Sequence, residues 1–240
     1  MTLPDWKTKD LRQAYYSSIS HVDHEVGRVL DELETLGLAE NTIIALWGDH
    51  GWQLGEHSEW CKHTNFEVAT RAPLMMRIPE LTNGGLRTNK LVEFVDIFPT
   101  LVEATGFPSM ELCPESSSDV RLCTEGTSLM PLVSDPDQVQ WKDAVFWQYR
   151  RGGKITEHIS KIMGYTIRTD QYRFTEWTGI TYLGGYDYEP NWDDQIDHPE
   201  LYDLLVDPEE NSNLYNDPNY TQIKNNLRKK LRAGWREARP

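Results

Sequence analysis

Residues 42–63 read TIIALWGDHGWQLGEHSEWCKH, and the first six of them decide the fold class. Thr42–Trp47 is a continuous apolar run with β-branched residues, which is typical of a strand buried on both faces of a parallel sheet. Ligands of such sheets bind beyond the carboxyl ends of the strands. The polar residues that follow the run, Asp49 and His50, are therefore predicted to lie at a functional site.

The flanking segments extend this pattern to an α/β fold. Before the run, apolar residues between Leu11 and Leu36 recur every three or four positions, which predicts an amphipathic helix packed on a larger body. After it, Pro73–Ile78 is a second apolar run and predicts another strand, while Leu91–Gly106 contains a helix with Asp96 as its N-cap. Helices that alternate with buried strands predict an α/β domain.

A different organisation is predicted for the C-terminal part. Residues 108–140 are rich in Pro, Ser and Asp, and we divide the chain there into a domain of residues 1–138 and a small α+β subdomain of residues 139–240. Segments beyond the boundary alternate as strands do, and two of them are joined by the turn Asp170-Gln171 as a hairpin. The predicted strands and the basic C-terminal helix are Ala144–Tyr149, Gly164–Thr169, Tyr172–Trp177, Leu201–Val206 and Tyr220–Glu237.

Charge and hydropathy exclude several classes of partner. The 240 residues carry a formal net charge of −14, which argues against a nucleic acid, because proteins that bind its phosphates need surplus Lys and Arg. No apolar run of about 18 residues occurs, so no membrane span is predicted. The first residues also lack the apolar core of a signal peptide. Because the net charge is strongly negative, binding of an anionic substrate requires a local pocket of positive charge.

The cysteines and one sequon bear on the compartment. Cys113 and Cys123 flank a polar loop, and their spacing is compatible with a small disulfide ring in an oxidising compartment. Three reduced thiols in a cytosolic protein, Cys61 included, are the alternative. Asn219 begins the sequon Asn-Tyr-Thr, which marks a candidate glycosylation site but arises readily by chance.

Asp49 and His50 are candidate ligands of a divalent cation. A carboxylate oxygen suits a hard ion such as Ca²⁺ or Mg²⁺, and an imidazole is tolerated in a mixed site. Two donors do not complete a site, so further oxygen ligands would come from elsewhere in the fold. The structural alternative is that Asp49 caps a following helix and His50 is an ordinary loop histidine.

Other polar residues of this segment suggest a site for an anionic sugar. Lys62 is a natural point charge for an oxyacid group if the chain returns it to the end of the strand, although surface lysines are commoner. Trp52 offers a flat face to a sugar ring, or serves only for packing. Glu56 and His57 have the chemistry of an acid–base pair, but an isolated pair is weak evidence.

Together these motifs resemble a known family. Residues 48–67, GDHGWQLGEHSEWCKHTNFE, are similar to the second signature region of the sulfatase family in the alkaline-phosphatase superfamily, and within it to the iduronate-2-sulfatase group. MGYTIRT at residues 163–169 and ELYDLLVDPEENSNL at residues 200–214 follow in the family's order. The resemblance implies the C-terminal part of the sulfatase mixed sheet flanked by helices, followed by a small antiparallel sheet with a helix. It further implies a sulfuric ester hydrolase that removes 2-O-sulfate from iduronate in dermatan or heparan sulfate, that is, in glycosaminoglycan degradation.

The resemblance also implies roles for single residues of the site. Asp49 and His50 match ligands of one calcium ion, and Lys62 matches a contact to the substrate sulfate. Trp52 and Arg168 match positions associated with the sugar pocket.

Weaker or structural roles are implied for four more residues. His57 and His63 are weaker matches to site residues. Cys113 and Cys123 match a disulfide of the animal enzymes, which implies an oxidising compartment. The expected location is the lysosome, with secretion as the alternative.

One departure from the family is large. Sulfatases use a formylglycine made from the cysteine of a C-x-P-x-R sequence, and none of Cys61, Cys113 and Cys123 begins such a sequence. The chain therefore resembles only the C-terminal half of a sulfatase, with the N-terminal half as its expected partner and as the bearer of formylglycine. We expect no sulfatase activity from this chain alone and at best weak calcium affinity.

Two alternatives stay open. One is a sulfatase or phosphodiesterase of the same superfamily with another substrate. The other is a shortened, non-catalytic paralogue that binds glycans or a partner chain.

Overall fold

The computed structural model describes residues 3–116, 120–137, 140–151, 162–184 and 187–240. The chain forms two compact units, Met1–Leu86 and Arg87–Pro240. The predicted domain boundary between residues 138 and 139 lies outside the described residues and stays a prediction. The elements of the first unit are α1 Asp5–Thr35, β1 Ile44–Trp47, β2 Gln53–Leu54, β3 Trp60–Cys61, α2 Glu67–Thr70 and β4 Leu74–Arg77. Those of the second unit are α3 Ile97–Ala104, α4 Met130–Ser134, β5 Val145–Arg151, β6 Ile162–Arg168, β7 Tyr172–Gly184, β8 Asp187–Gln195, β9 Glu200–Asp203 and α5 Thr221–Ala233.

The long helix α1 confirms the helical interpretation of the first apolar stripe. It covers 31 residues, and Gly37, just beyond its end, has a φ of 68°, which glycine adopts without steric cost. The predicted packing of the whole stripe is not observed, since no residue of α1 is buried and Ile19 and Val22 are 52% and 56% exposed. The period of a sequence pattern shows which face of a helix is apolar, but not what covers that face. None of the helices in the described ranges combines the length and the apolar character needed to cross a membrane.

The strand β1 is observed where the apolar run predicts it, but its pairing differs from the prediction. β1 pairs antiparallel with β4, with Ile44 opposite Arg77 and Trp47 opposite Leu74. Its residues are half-buried, and Trp47 is exposed. A continuous apolar run predicts a strand, but it cannot give the direction of the neighbouring strand. Within the described residues, the expectation that Thr42–Trp47 is a strand buried on both faces of a parallel sheet is therefore not met.

The second unit contains the predicted small antiparallel sheet and its helix. The strand order is β5-β6-β7-β8, and β9 pairs with β7 beyond the part that pairs with β8. The predicted hairpin joins β6 and β7, and the Thr169 N–H donates to the Tyr172 carbonyl across the turn at 2.8 Å. Helix α5 covers one face of the sheet, and the core between them contains Ala144, Ile167, Phe174, Leu201, Leu227 and Leu231. These elements confirm the α/β class with an antiparallel C-terminal part.

Asp96 takes part in a buried charge cluster and does not cap helix α3 with its side chain. The Lys142 ammonium donates to both Asp96 oxygens at 2.8 and 2.9 Å and to Glu93 Oε2 at 2.9 Å. The Asp96 carboxylate also accepts the N–H groups of Glu93 and Thr127, each at 2.8 Å. Asp96 is fully buried and Lys142 nearly so, so this cluster joins segments that are distant in sequence in a dry environment.

The disulfide between Cys113 and Cys123 confirms the pairing expected from the resemblance. The residue Glu125 beyond it accepts hydrogen bonds from Arg236 and Arg239, and Arg236 also donates to the Pro114 carbonyl at 3.0 Å. Burial alone would raise the pKa of Glu125, but hydrogen bonds from Arg236 and Trp235 and the nearby positive charges outweigh it and lower that pKa. The C-terminal residues thus bond to the chain next to each cysteine, at Pro114 after Cys113 and at Glu125 after Cys123.

Candidate active site

The candidate site lies in the segment that follows β1. We call residues 48–62 the DHGW loop; it leaves β1, forms the two-residue strands β2 and β3, and ends at Lys62. The strands pair antiparallel, with Gln53 opposite Cys61 and Leu54 opposite Trp60. This ribbon returns the end of the loop to its beginning.

The ribbon brings three predicted site residues together. The Lys62 ammonium contacts His50 Nε2 and lies 3.8 Å from Asp49 Oδ2, and the same carboxylate oxygen lies 3.0 Å from His50 Nε2. The Asp49 side chain is 82% exposed, whereas the His50 side chain is 24% exposed. The Lys62 ammonium, the His50 imidazole and the Asp49 carboxylate therefore lie together at a partly exposed position.

The backbone fixes the orientation of the His50 ring. Nδ1 of His50 lies 2.7 Å from the Gly51 carbonyl, to which it donates in the tautomer that carries its proton on Nδ1. Nε2 then keeps its lone pair and accepts from Lys62. The same tautomer would let Nε2 bind a metal ion, which would take the place of the hydrogen bond from Lys62.

Gly51 is required by a close backbone contact. A Cβ at this position would lie 2.1 Å from the Val68 carbonyl oxygen and 2.6 Å from that of Arg71, so any side chain would displace the loop. The Gly51 N–H donates to the Ala69 carbonyl at 2.9 Å. The absence of a side chain at Gly51 thus allows the DHGW loop to pack closely against α2.

No helix begins at Asp49, so the alternative that Asp49 caps a following helix is wrong.

The aromatic residue Trp52 lies in a row of rings. Its ring centroid is 6.0 Å from that of His50 and 6.0 Å from that of Tyr15 on α1, with interplanar angles of 26° and 19°. Trp52 is half-buried. Its ring therefore has packing partners and keeps some surface exposed.

Two other polar residues of the loop have structural partners. Glu56 accepts the Leu54 N–H at 2.5 Å, and the His57 ring stacks on Phe66 with a centroid distance of 3.8 Å. The Glu56 and His57 side chains thus make structural contacts with other residues, and the geometry does not support an acid–base pair. His63 is exposed.

Arg168, which the family resemblance associates with substrate binding, belongs to the second unit. It ends β6, where it pairs with Val145 on one side and Arg173 on the other, and its guanidinium donates to the Thr169 carbonyl. The side chain is half-buried.

The donors present suit part of a calcium shell. Asp49 Oδ2 and His50 Nε2 face the same point, which the Lys62 ammonium occupies here, so a metal ion bound by this pair would replace the ammonium. Within the described ranges, no group of three or more His, Cys, Asp or Glu side chains is arranged to hold a metal ion. The pair fits a site whose other ligands come from elsewhere, and it does not form a site by itself.

Sequence reasoning missed one residue of the site region. The Arg12 guanidinium on α1 donates through Nε to the Leu54 carbonyl at 3.0 Å. Arg12 lies next to Leu11 of the apolar stripe, but a charged residue beside such a stripe is too common to indicate a contact 42 residues away.

Comparison with known proteins gives the class of this chain. A solved structure described as a complex with its substrate D-glucosamine-2-N,6-O-disulfate matches it with a TM-score of 0.74 and 26% identity, over 95% of this chain and 41% of that one. The phosphonate monoester hydrolase of Agrobacterium radiobacter matches with a TM-score of 0.74 and 24% identity, over 94% of this chain and 42% of that one, which shows the fold alone. The fold is that of the sulfatases and related hydrolases of the alkaline-phosphatase superfamily.

Sequence comparison narrows this class. The family model described as N-sulphoglucosamine sulphohydrolase, C-terminal, matches residues 55–237, and the model described as sulfatase matches residues 2–107. The chain belongs to the sulfatase family, as the resemblance of residues 48–67 predicts. Iduronate 2-sulfatase of Mus musculus is 36% identical over 266 residues, which cover 94% of this chain and 48% of that protein. N-acetylglucosamine-6-O-sulfatase of Bacteroides thetaiotaomicron is 28% identical over 227 residues, covering 94% of this chain and 36% of that protein. The chain thus spans about half the length of the curated iduronate 2-sulfatases it matches.

Proposed function

We propose that this chain is the C-terminal part of a sulfuric ester hydrolase that removes 2-O-sulfate from iduronate in dermatan or heparan sulfate oligosaccharides. The observation that carries the proposal is the contact of Lys62 with the Asp49–His50 pair at the end of β1. Membership of the sulfatase family and 36% identity to an iduronate 2-sulfatase support it.

In this proposal Lys62 binds the sulfate group. A sulfate monoester presents anionic oxygens, and negative charge grows on the ester oxygen as the S–O bond breaks. A lysine ammonium stabilises such charge as a compact point charge, most effectively where water is partly excluded. The half-buried position of Lys62 beside His50 is suited to this role.

Asp49 and His50 would hold a calcium ion together with ligands from the N-terminal half of the enzyme. When bound, the ion supplies Lewis-acid stabilisation of the sulfate oxygens. The nucleophile would be a formylglycine, which also belongs to the N-terminal half, because none of the three cysteines here begins a C-x-P-x-R sequence. We therefore propose that this half is the physical partner of the chain and that the chain alone is inactive.

Trp52 and Arg168 would select a uronate. The partly exposed Trp52 ring offers an apolar face to the C–H groups of a sugar, and the Arg168 guanidinium suits a bidentate contact with a carboxylate. His57 and His63 are secondary candidates; the stack of His57 on Phe66 favours a packing role for that residue.

A second substrate class is favoured by specific observations. The family model for residues 55–237 belongs to a sulphoglucosamine hydrolase, and the solved relative at 26% identity holds a sulfated glucosamine. A sulfated glucosamine is thus the alternative substrate for the same site. A phosphodiester substrate and a non-catalytic paralogue that binds glycans are the further alternatives.

The compartment we propose is the lysosome, with secretion as the alternative. The Cys113–Cys123 disulfide supports an oxidising route of synthesis. Asn219 is exposed, so the sequon is accessible to glycosylation.

The test begins with the transcript. We expect its extension at the 5′ end to add, in frame, a segment that encodes C-x-P-x-R. A message that begins at Met1 would contradict the catalytic proposal, and binding of sulfated oligosaccharides by the 240-residue chain would then be measured.

The complete protein is then assayed for sulfate release from an iduronate-2-sulfate disaccharide and from a glucosamine-6-sulfate disaccharide. Faster hydrolysis of the first supports the iduronate proposal, and faster hydrolysis of the second supports the alternative. Lys62→Ala should lower kcat/KM by about 10²–10³-fold on the preferred substrate, whereas Lys229→Ala, an exposed lysine on α5, should leave it unchanged. Arg168→Ala should reduce hydrolysis of the uronate more than that of a neutral sulfate ester, and equal losses would reject the role of Arg168.

A further inference from the structure

The DHGW loop needs support from outside itself. Strands β2 and β3 pair over two residues each, and a two-stranded ribbon of this size is not stable alone. The turn between them is also costly, since His57 and Ser58 have φ values of 55° and 60°, and Cys61 in β3 has a φ of 71°. Contacts with other elements must therefore hold the ribbon in place.

Helix α1 supplies two of these contacts on one face. Arg12 Nε donates to the Leu54 carbonyl at 3.0 Å, and Tyr15, three positions later, packs its ring beside Trp52. Residues three apart share a helix face, so one turn of α1 reaches both Trp52 and Leu54. A Cβ on Gly55 would lie 3.7 Å from Arg12 Nη2, which shows how closely the guanidinium approaches the turn.

The peptide groups of Leu54 are bonded on both sides. Its N–H donates to Glu56 Oε2 at 2.5 Å, and its carbonyl accepts from Arg12. Leu54 pairs with Trp60, and Lys62 lies two residues further along the same strand direction. The position of Leu54 therefore determines where the ribbon delivers the Lys62 ammonium relative to His50.

We propose that Arg12 is a positioning residue that, through the Leu54 carbonyl and the β2–β3 ribbon, keeps the Lys62 ammonium beside His50 at the end of β1. The proposal deepens the proposed function, on which its catalytic meaning rests, because this position of Lys62 is the one proposed to bind the sulfate. Among the described residues Arg12 bonds to the Leu54 carbonyl and not to Asp49, His50 or Lys62, so it acts through the loop.

Cys61 provides a built-in reporter in the 240-residue chain. It lies in β3 opposite Gln53, and it is the one free cysteine, since Cys113 and Cys123 are bonded to each other. Cys61 is half-buried, so its rate of alkylation by iodoacetamide should increase when the ribbon opens more often. Arg12→Gln should raise this rate by about tenfold, the factor expected for the loss of one charge-assisted hydrogen bond.

A matched control separates the contact from the charge. Lys9→Gln removes the same charge from the same helix at an exposed position that does not contact the loop, and it should leave the rate unchanged. The ¹⁵N chemical shift of His50 Nε2 is the second readout, because it reports the hydrogen bond from Lys62. In Arg12→Gln it should move toward the value found in Lys62→Met, and in Lys9→Gln it should stay at the wild-type value.

The two readouts also overturn the proposal if it is wrong. A folded Arg12→Gln chain with the wild-type alkylation rate and the wild-type His50 shift would show that Arg12 does not position the loop. If Arg12→Gln does not fold, Arg12→Lys takes its place: it keeps the charge, loses the Nε donor, and should give an intermediate rate, so a wild-type rate would contradict the proposal.

These measurements are independent of sulfatase activity. Altered rates together with an inactive complete protein would reject the proposed function and leave the assignment of Arg12 in place. An active complete protein, together with wild-type alkylation rates and His50 shifts in Arg12→Gln, would support the proposed function and reject the positioning role of Arg12.

Discussion

The buried Lys142 cluster gives a stability prediction that can be worked out from the structure. Lys142→Met keeps much of the apolar stem but removes the ammonium that bonds to Asp96 at 2.8 and 2.9 Å and to Glu93 at 2.9 Å. The Asp96 side chain has 0% exposure and the Lys142 side chain 5%, so water cannot replace the lost partner of Asp96. Removing one member of such a buried pair costs about 3–5 kcal/mol, because the other charge is left without compensation.

We therefore expect Lys142→Met to lower the free energy of unfolding by about 4 kcal/mol, which corresponds to a fall in Tm of about 8–16 °C for a chain of this size. Urea unfolding of the 240-residue chain, followed by circular dichroism, measures it. Lys230→Met is the matched control: Lys230 pairs with Asp143, the side chains are 48% and 63% exposed, and loss of this surface pair should cost about 0–1 kcal/mol.

A double-mutant cycle tests the cause of the loss. Asp96→Asn also destabilises, because it replaces an acceptor that faces Lys142 and two backbone N–H groups. If the charge contact is responsible, the double variant should lose less than the sum of the single losses, by about 2 kcal/mol. A loss in Lys142→Met no larger than in Lys230→Met, or strictly additive losses in the cycle, would refute the reasoning.

Two further predictions concern Glu125 and Gly51. Because the folded-state pKa of Glu125 is lowered from its ordinary value of 4.5, its carboxylate stabilises the fold above that pH, and the contribution is lost as pH falls through the folded-state pKa. Glu125→Gln should thus destabilise the chain at pH 7, and its difference from wild type in urea unfolding should shrink as the pH falls below 4.5 through the folded-state pKa; a constant difference would contradict the linkage. Gly51→Ala places a Cβ 2.1 Å from a backbone oxygen and should lower the free energy of unfolding by about 3 kcal/mol. The control Gly84→Ala has no atom within 4 Å of the new Cβ and should change that free energy by at most about 0.5 kcal/mol. Equal thermal midpoints for the two variants would show that the loop adapts to the added methyl group without cost.

Local sequence signals predicted much of the fold. The β6–β7 hairpin follows from two alternating segments joined by a short turn, and helix α1 follows from its apolar period. Helix α3 follows from its N-terminal signals and α5 from residues that favour a helix, and all these signals lie close together in the chain. Strand β8 was missed, since Asp187–Gln195 contains four acidic residues and Pro190. It lies at the edge of the sheet, where one side of the backbone is unpaired, and edge strands tolerate proline and charge.

The candidate site was predictable as a set of residue types but not as a geometry. The spacing of Asp49, His50 and Lys62 in one segment, with its family resemblance, indicated a strand-end site. Only the structure shows that β2 and β3 fold back so that Lys62 reaches His50, and that Glu56 and His57 are occupied elsewhere. The roles of Trp52 and Arg168 stay predictions, since a side chain's place in the fold does not identify its ligand.

The sequence by itself determined the class of this protein, because residues 48–67 form a specific motif of the sulfatase family, and through that resemblance it implied the Cys113–Cys123 disulfide and the segment proposed to carry the chemistry. The tertiary structure decided the antiparallel partner of β1, the contact of Arg12 with Leu54 and the burial of Lys142 against Asp96. These last contacts join residues 42 and 46 positions apart. Their existence depends on how whole elements pack, and the free energy of such packing is not encoded in any short stretch of the chain.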